Sequence, residues 1–238
     1  MSEIKAVIQA GGQGTRLYPY STVLPKALMP IGEGTVADKL IEMFVSGGVK
    51  DVYITLSTQN KISSLIESYC GSGSRWGVNI HYVTEDTPLG TIGPLNLMRS
   101  DLQTTFMVTN SDVALDMDVA EFIEFHRRSE ALLTIAVAKQ QVSIEYGVIE
   151  NDDGLVHGFR EKPTEEFCVS TGVYCMEPRI FDYIPESGAF GFDGLIETLL
   201  SKKERVLAFD RTENWIDIGR IEDLRRAQEN AAKSLYKD

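Results

Sequence analysis

The sequence predicts an α/β protein: a Rossmann-like mixed, mainly parallel sheet flanked by helices, with a smaller antiparallel lobe. Three observations carry this. A short apolar run at 4–9 breaks directly into Ala10-Gly11-Gly12. Strand-like and helix-like segments then alternate to about residue 130, and beyond that strand-like runs follow one another.

The elements follow in order. Residues 4–9 read as a buried strand that opens into a glycine-rich loop. Val36, Leu40, Ile41, Phe44 and Val45 recur at helical spacing, and Gly47-Gly48 closes that helix. A strand is predicted at 52–56, a helix near 62–69, a strand at 78–83, a helix around 95–102 and a strand at 106–109. Strands separated by helices form a parallel sheet with right-handed crossovers, and such sheets bind ligands at the carboxyl ends of their strands. The first candidate site therefore lies near Gly11. After a helix at 119–128, strands are predicted at 132–137, 147–149, 156–160 and 169–174. The turn Asn151-Asp152-Asp153-Gly154 suits a hairpin. This half extends the sheet with antiparallel strands and forms the second lobe, with a cleft between the halves. Helices near 195–200 and 221–232 finish the chain. Residues 1–238 are read as one unit with two halves, about 1–130 and about 131–238.

Composition narrows the partners. The 238 residues are 43% apolar, enough for one substantial core. A formal net charge of -12 argues against nucleic acid or an anionic membrane surface as the main partner, so any phosphate must be held locally. No apolar run approaches the ~20 residues that span a bilayer. The opening MSEIKAVIQAGG lacks the basic segment and long apolar stretch of a signal peptide, so a cytoplasmic protein is expected. The cysteines, Cys70, Cys168 and Cys175, form no CxxC pair and are read as buried thiols. On one regular strand, Cys168 and Cys175 would point to opposite faces.

The loop Gly11-Gly12-Gln13-Gly14-Thr15-Arg16-Leu17 lets the backbone approach a ligand and present N–H groups to phosphate oxygens. A dinucleotide fingerprint would want glycine where Leu17 stands and an acidic residue ending the second strand, where Thr55-Leu56-Ser57 sits. That counts against a nicotinamide dehydrogenase. A Walker loop, GxxxxGK followed by Ser or Thr, is absent. Two cations bracket the loop instead: Arg16, and Lys26 within Pro25-Lys26-Ala27-Leu28-Met29-Pro30, whose prolines limit the entropy lost in placing Lys26.

The stretch GGQGTRLYPYSTVLPKALMPI resembles the N-terminal signature of the sugar-1-phosphate nucleotidylyltransferases, in particular the mannose-1-phosphate guanylyltransferase-like members. NSD around Asp112, PLGT around Gly90, Tyr146-Gly147, EKP at Glu161-Lys162-Pro163 and WIDIG around Asp217 extend the resemblance over nearly the whole chain. It implies a nucleotide-binding half and a sugar-phosphate-binding half. The implied activity is Mg²⁺-dependent transfer of a nucleotidyl group from an NTP to a sugar 1-phosphate, releasing pyrophosphate, by a dimer or tetramer.

The resemblance implies roles for individual residues. Ala10, Gly11, Gly12, Gly14, Thr15, Arg16, Glu85 and Gly90 bind the nucleotide. Lys26, Tyr146, Gly147, Glu161, Lys162 and Thr171 bind the sugar phosphate. Asp112 and Asp217 hold the metal, and Arg16, Lys26, Asp112 and Lys162 are the catalytic set. The chemistry suits these types. A phosphate oxygen attacks the α-phosphorus, so the work is positioning anions and neutralising developing charge, without a covalent intermediate. A planar guanidinium at Arg16 suits several phosphate oxygens. Mg²⁺ takes hard oxygens, usually one or two carboxylates plus phosphates. His81, His126 and His157 sit in no nucleophile or base arrangement and are read as structural or solvated.

Other readings stay open at the same positions. Asp112 also reads as a helix N-cap beside Asp116 and Asp118, and Glu161-Lys162 as an exposed ion pair at a strand end. Glu85 lies where guanylyl-transferring relatives typically carry glutamate and thymidylyl- and uridylyl-transferring ones glutamine. One carboxylate can accept guanine's adjacent N1–H and N2–H, which favours GTP. Ser170-Thr171-Gly172 stands where many relatives carry an asparagine triplet, and Ser111 where many carry glycine. Mannose and heptose phosphates therefore both remain. Thymidylyl, uridylyl or cytidylyl transfer is an alternative, as is a non-catalytic homologue that senses a nucleotide sugar.

Overall fold

The protein, a computed structural model, is described over residues 4–235. Residues 1–3 of the signal-peptide reading and 236–238 of the domain reading lie outside the described residues. Strand β1 (Lys5–Gln9) is the apolar run at the start, with its three central residues buried. The glycine loop follows and winds through short 3-10 turns into the hairpin β2 (Pro30–Ile31) and β3 (Gly34–Thr35). Helix α1 (Val36–Ser46) starts on a capping box: Asp38 N–H donates to Thr35 Oγ1, and Thr35 N–H donates to the Asp38 carboxylate at 2.7 Å. Strand β4 (Asp51–Ser57), helix α2 (Ser64–Cys70), strand β5 (Asn79–Glu85), strand β6 (Phe106–Asn110), strand β7 (Val113–Asp116) and helix α3 (Val119–Arg128) complete the first half.

The second half is strand-rich. It comprises β8 (Leu133–Ser143), β9 (Val148–Asp152), β10 (Leu155–Arg160), β11 (Thr164–Met176), α4 (Phe192–Ser201), β12 (Val206–Phe209), β13 (Glu213–Asp217) and α5 (Ile221–Leu235). Seven strands form one sheet in the order β12-β8-β11-β6-β1-β4-β5. The pairs β1–β6, β1–β4, β4–β5 and β12–β8 are parallel, and β11 runs antiparallel between β6 and β8. The predicted mixed, mainly parallel sheet is present.

Helices cover both faces because alternate strand residues feed two cores. Ala6 and Ile8 pack with Leu40, Phe44 and Phe122 on one side. Val7 and Tyr53 pack with Leu95, Phe192 and Leu195 on the other. Full burial of such Leu, Ile and Phe side chains is worth roughly 1.5–3 kcal/mol each. No described helix is long and apolar enough to cross a membrane.

The outer parts of β8 and β11 are largely exposed and run out from the core as an arm, beside the β9–β10 hairpin. Its two-residue loop has Asp153 at φ 46° and Gly154 at φ 90°, the paired left-handed residues of a primed turn, as the Asn-Asp-Asp-Gly stretch predicted. Between Ser170 and Tyr174 the register of β11 against β8 shifts through a bulge, with Gly172 at φ 82°.

Several expectations need correction. The segment predicted as a helix at 95–102 is a 3-10 turn at Gly93–Met98, where Pro94 removes a donor and Ile92 and Gly93 are tied by their N–H groups to Phe190 O. Cys168 is exposed, because it lies on the arm, whereas Cys70 and Cys175 are buried. Strands β2, β3, β7, β12 and β13 lie outside the segments that the sequence predicts as strands.

Candidate active site

The site grows from the carboxyl ends of β1, β5 and β6, as parallel-sheet topology requires. Ala10 N–H is anchored to Thr55 O and Thr55 Oγ1, at 3.2 and 3.1 Å, where β1 opens into the loop. Gly14, at φ 66°, turns the chain, and its missing side chain makes room for a cation: a Cβ there would lie 2.8 Å from Lys26 Cγ. Lys26 crosses this gap and places Nζ 2.6 Å from Asp112 Oδ2, with both side chains mostly buried. Thr15 and Arg16 form the exposed turn beside it.

Asp112 stands between β6 and β7. Asp118, not Asp112, does the capping. Asp118 accepts from Glu121 N–H at the start of α3, and Asp116 accepts from Asn214 Nδ2. The N-cap reading of Asp112 is therefore wrong. Strand β13 pairs antiparallel with β7, and Ile218 N–H donates to Asp112 O at 2.6 Å, which brings Asp217 beside Asp112. The Asp217 carboxyl is held above its ordinary range, first by burial and then by the charge on Asp112, with Lys26 and Arg16 acting in the opposite direction. Arg16 Nη2 lies against Gly219, 3.4 Å from where a Cβ would stand. Arg16, Lys26, Asp112 and Asp217, remote in sequence, thus form one cluster.

This cluster fits a divalent cation. It offers two hard carboxylates, one already drawing an ammonium and the other destabilised by burial and by its neighbour's charge, and a bound cation would relieve both. Among the described residues no group of three or more His, Cys, Asp or Glu is placed to hold a metal. An ion seated here would take its remaining ligands from water and phosphate oxygens.

Glu85 ends β5 and is buried. Its Oε2 accepts Leu89 N–H at 3.1 Å, while Oε1 rests against Gly11 so closely that a Cβ there would lie 2.5 Å away. Burial raises the Glu85 pKa, and the Leu89 N–H counters part of the rise. Gly12 O accepts from Asn60 Nδ2, and Gly90, at φ 80°, sits against the Phe190 backbone.

A second group lies on the arm. Gly147 faces the Phe159 ring and Glu161; a Cβ there would approach them to 2.7 and 3.2 Å. Tyr146 is 79% exposed, and Lys162 adopts φ 42°. Glu161 and Lys162 are exposed, and among the described residues neither makes an ion pair, so the strand-end pair is not formed. Thr171 departs from the sugar-pocket role: its hydroxyl is buried and donates to Ala136 O at 2.8 Å, while its carbonyl accepts Trp215 Nε1–H. The bulge in β11 turns this side chain inward. Its neighbours Ser170, bonded to Tyr174 OH, and Gly172, packed on the Asn110 amide, border the site instead.

The histidines stay outside this cluster. His81 pairs with Asp51 and stacks on Tyr53, His126 is buried against Thr134 and Glu177, and His157 lies beside Asp152. Gln9, Asn60, Asn110 and Trp215 are site neighbours that sequence reasoning passed over. Three of them adjoin motifs, Gln9 before the glycines, Asn110 in NSD and Trp215 in WIDIG, whereas Asn60 carried no signal.

A mannose-1-phosphate guanyltransferase from Yarrowia lipolytica is 33% identical over 227 residues, covering 92% of this chain and 62% of that protein. A UTP–glucose-1-phosphate uridylyltransferase from Synechocystis sp. is 31% identical over 240 residues, covering 92% and 61%. The chain thus spans about three fifths of the length of these relatives. The crystal structure of HddC from Yersinia pseudotuberculosis complexed with GMP-PN superposes with a TM-score of 0.73 at 26% identity, over 95% of this chain and 99% of that one. The family model described as nucleotidyl transferase matches residues 5–234, nearly the whole chain, and the chain belongs to that family.

Proposed function

We propose that this protein transfers a nucleotidyl group from an NTP, with GTP favoured, to a sugar 1-phosphate of mannose or heptose type, giving the nucleotide sugar and pyrophosphate. The observation that carries the reading is the cluster at Asp112: Lys26 Nζ 2.6 Å from its carboxylate, Asp217 beside it across the β7–β13 ladder, and Arg16 against Gly219. Two carboxylates and two cations at the carboxyl end of a parallel sheet suit a reaction whose groups are nearly all anionic. The relatives named for guanylyl and uridylyl transfer to sugar phosphates support the same chemistry.

The first half, about 1–130, holds the nucleotide. The backbone from Ala10 to Gly14 and Thr15 cradles the phosphates, Arg16 binds the leaving pyrophosphate, and Lys26 meets the reacting phosphates. Asp112 and Asp217 would hold Mg²⁺, which when bound neutralises phosphate charge and orients the oxygens around the α-phosphorus. Glu85, with Oε1 uncommitted beside Gly11, accepts guanine N–H groups, and Gly90 borders the base. The second half holds the sugar phosphate. Glu161 accepts from sugar hydroxyls, Gly147 supplies backbone contacts beside Tyr146, and Lys162 orients the attacking phosphate. Soluble substrates of this kind fit a cytoplasmic protein.

Pyrophosphate release with Mg²⁺, measured for GTP, dTTP, UTP, CTP and ATP against hexose and heptose 1-phosphates, tests this directly. Release confined to GTP is expected. Release with UTP or dTTP would keep the reaction and discard the Glu85 reading. No release with any pair would favour a nucleotide-sugar-sensing homologue, against which the four charged residues of the cluster argue.

A further inference from the structure

Gln9 closes β1, level with Thr55 on β4 and Asn110 on β6, and the mechanism above does not use it. Its Nε2 donates to Thr91 O, and its Oε1 is buried with no partner among the described residues. The amide cannot be turned round. A backbone carbonyl only accepts, so the nitrogen must face Thr91 and the oxygen is the atom left over. An unpartnered buried oxygen is costly, so stability alone would favour an apolar side chain of the same size. The useful part of Gln9 is the N–H that holds Thr91.

Thr91 ends the short span 85–91. At its start, Glu85 Oε2 accepts Leu89 N–H. On its far side the span leans on the segment before α4: Phe190 N–H donates to Leu89 O, Ile92 and Gly93 donate to Phe190 O, and Phe192 N–H donates to Thr91 Oγ1. Gln9 ties the span to β1, the strand that opens into the loop on which Glu85 Oε1 rests.

We infer that Gln9 is a positioning residue for nucleotide binding: by holding the Thr91 carbonyl it sets the spacing between the 85–91 span, with Glu85, and the Gly11 loop. The inference rests on the nucleotidyl-transfer reading of this site. Gln9→Met and Gln9→Leu both fill the space and lose the donor.

Both variants are expected to raise the nucleotide KM about tenfold, as loss of one hydrogen bond predicts, and to leave kcat and the sugar-phosphate KM unchanged. In the free protein, amide exchange at Ile92 and Gly93 should accelerate in both with the thermal midpoint preserved. A Gln9→Met enzyme that behaves as wild type would overturn the inference, as would an equal rise in both KM values. Wild-type protein that releases no pyrophosphate would sink the reaction, and the clamp would still be decided by exchange and by GTP calorimetry. Unaltered exchange, or equal GTP affinity in wild type and Gln9→Met, overturns it.

Discussion

Lys26 Nζ and Asp112 Oδ2 lie 2.6 Å apart across 86 positions of sequence, joined through the gap that Gly14 leaves. The ammonium occupies a carboxylate that the proposed metal would need.

Lys26→Met should lower kcat by about two to three orders of magnitude, the usual cost of removing a group aimed at developing charge. It should also lower the Mg²⁺ concentration that gives half-maximal rate, because Asp112 loses its competing ammonium. Asp112→Ala should abolish turnover in a folded protein. Steady-state rates across a Mg²⁺ titration decide both, and wild-type kcat in either variant would remove the residue from the mechanism.

Asp217 has a raised pKa in the folded chain, so its ionised form costs stability above that pKa, and the cost disappears as pH falls through it toward the ordinary range near 3.8. Asp217→Asn is therefore expected to be more stable than wild type near neutral pH without divalent ions, with the difference vanishing in acid. Mg²⁺ should stabilise wild type and not the variant. Thermal midpoints at several pH values, with and without Mg²⁺, check this; a constant difference at all pH values would contradict it.

Glu85→Gln should shift preference from GTP toward UTP or dTTP, since an amide presents one donor and one acceptor where the carboxylate presents two acceptors. Burial raises the Glu85 pKa, and protonation removes an acceptor. The GTP KM of the wild type should therefore rise as pH falls through that pKa, while the profile of the variant stays flat. Parallel profiles for the two proteins would falsify Glu85 as the base reader.

Gly147→Ala would push a methyl against the Phe159 ring and Glu161, since the ideal Cβ position is 2.7 and 3.2 Å from them. Displacing Glu161 by a few tenths of an ångström should raise the sugar-phosphate KM by roughly tenfold or more and leave the NTP KM unchanged. Substrate titrations read the two separately, and a rise in the NTP value instead would reassign the arm.

Much of the architecture was legible because it rests on local rules. Periodic apolar residues marked α1, the run into Ala10-Gly11-Gly12 marked β1, and Asn-Asp-Asp-Gly marked the β9–β10 hairpin. Strands β7, β12 and β13, each of four or five residues, were missed, since so short a run carries little periodicity and is held by its pairing partner. The 3-10 turn at Gly93–Met98 has helix-like apolar spacing, yet Pro94 and the bonds to Phe190 O decide its geometry. Gln9 gave no sign of its role because its partner, Thr91, lies 82 positions away.

By itself the sequence determined the fold class, the family resemblance and most of the residue types at the site, because those follow from periodicity, glycine placement and motif. The tertiary structure alone decided which of several acids joins the cluster with Lys26 and Asp217. Without the NSD resemblance, Asp112, Asp116 and Asp118 are alike as residue types. Only the β7–β13 ladder and the start of α3 assign Asp116 to Asn214, Asp118 to the helix end and Asp112 to Lys26. Likewise Thr171, in the expected triplet, is turned inward by a bulge whose register depends on β8. Partners in long-range ladders select among chemically equivalent side chains, and that selection has no local signature for a sequence to carry.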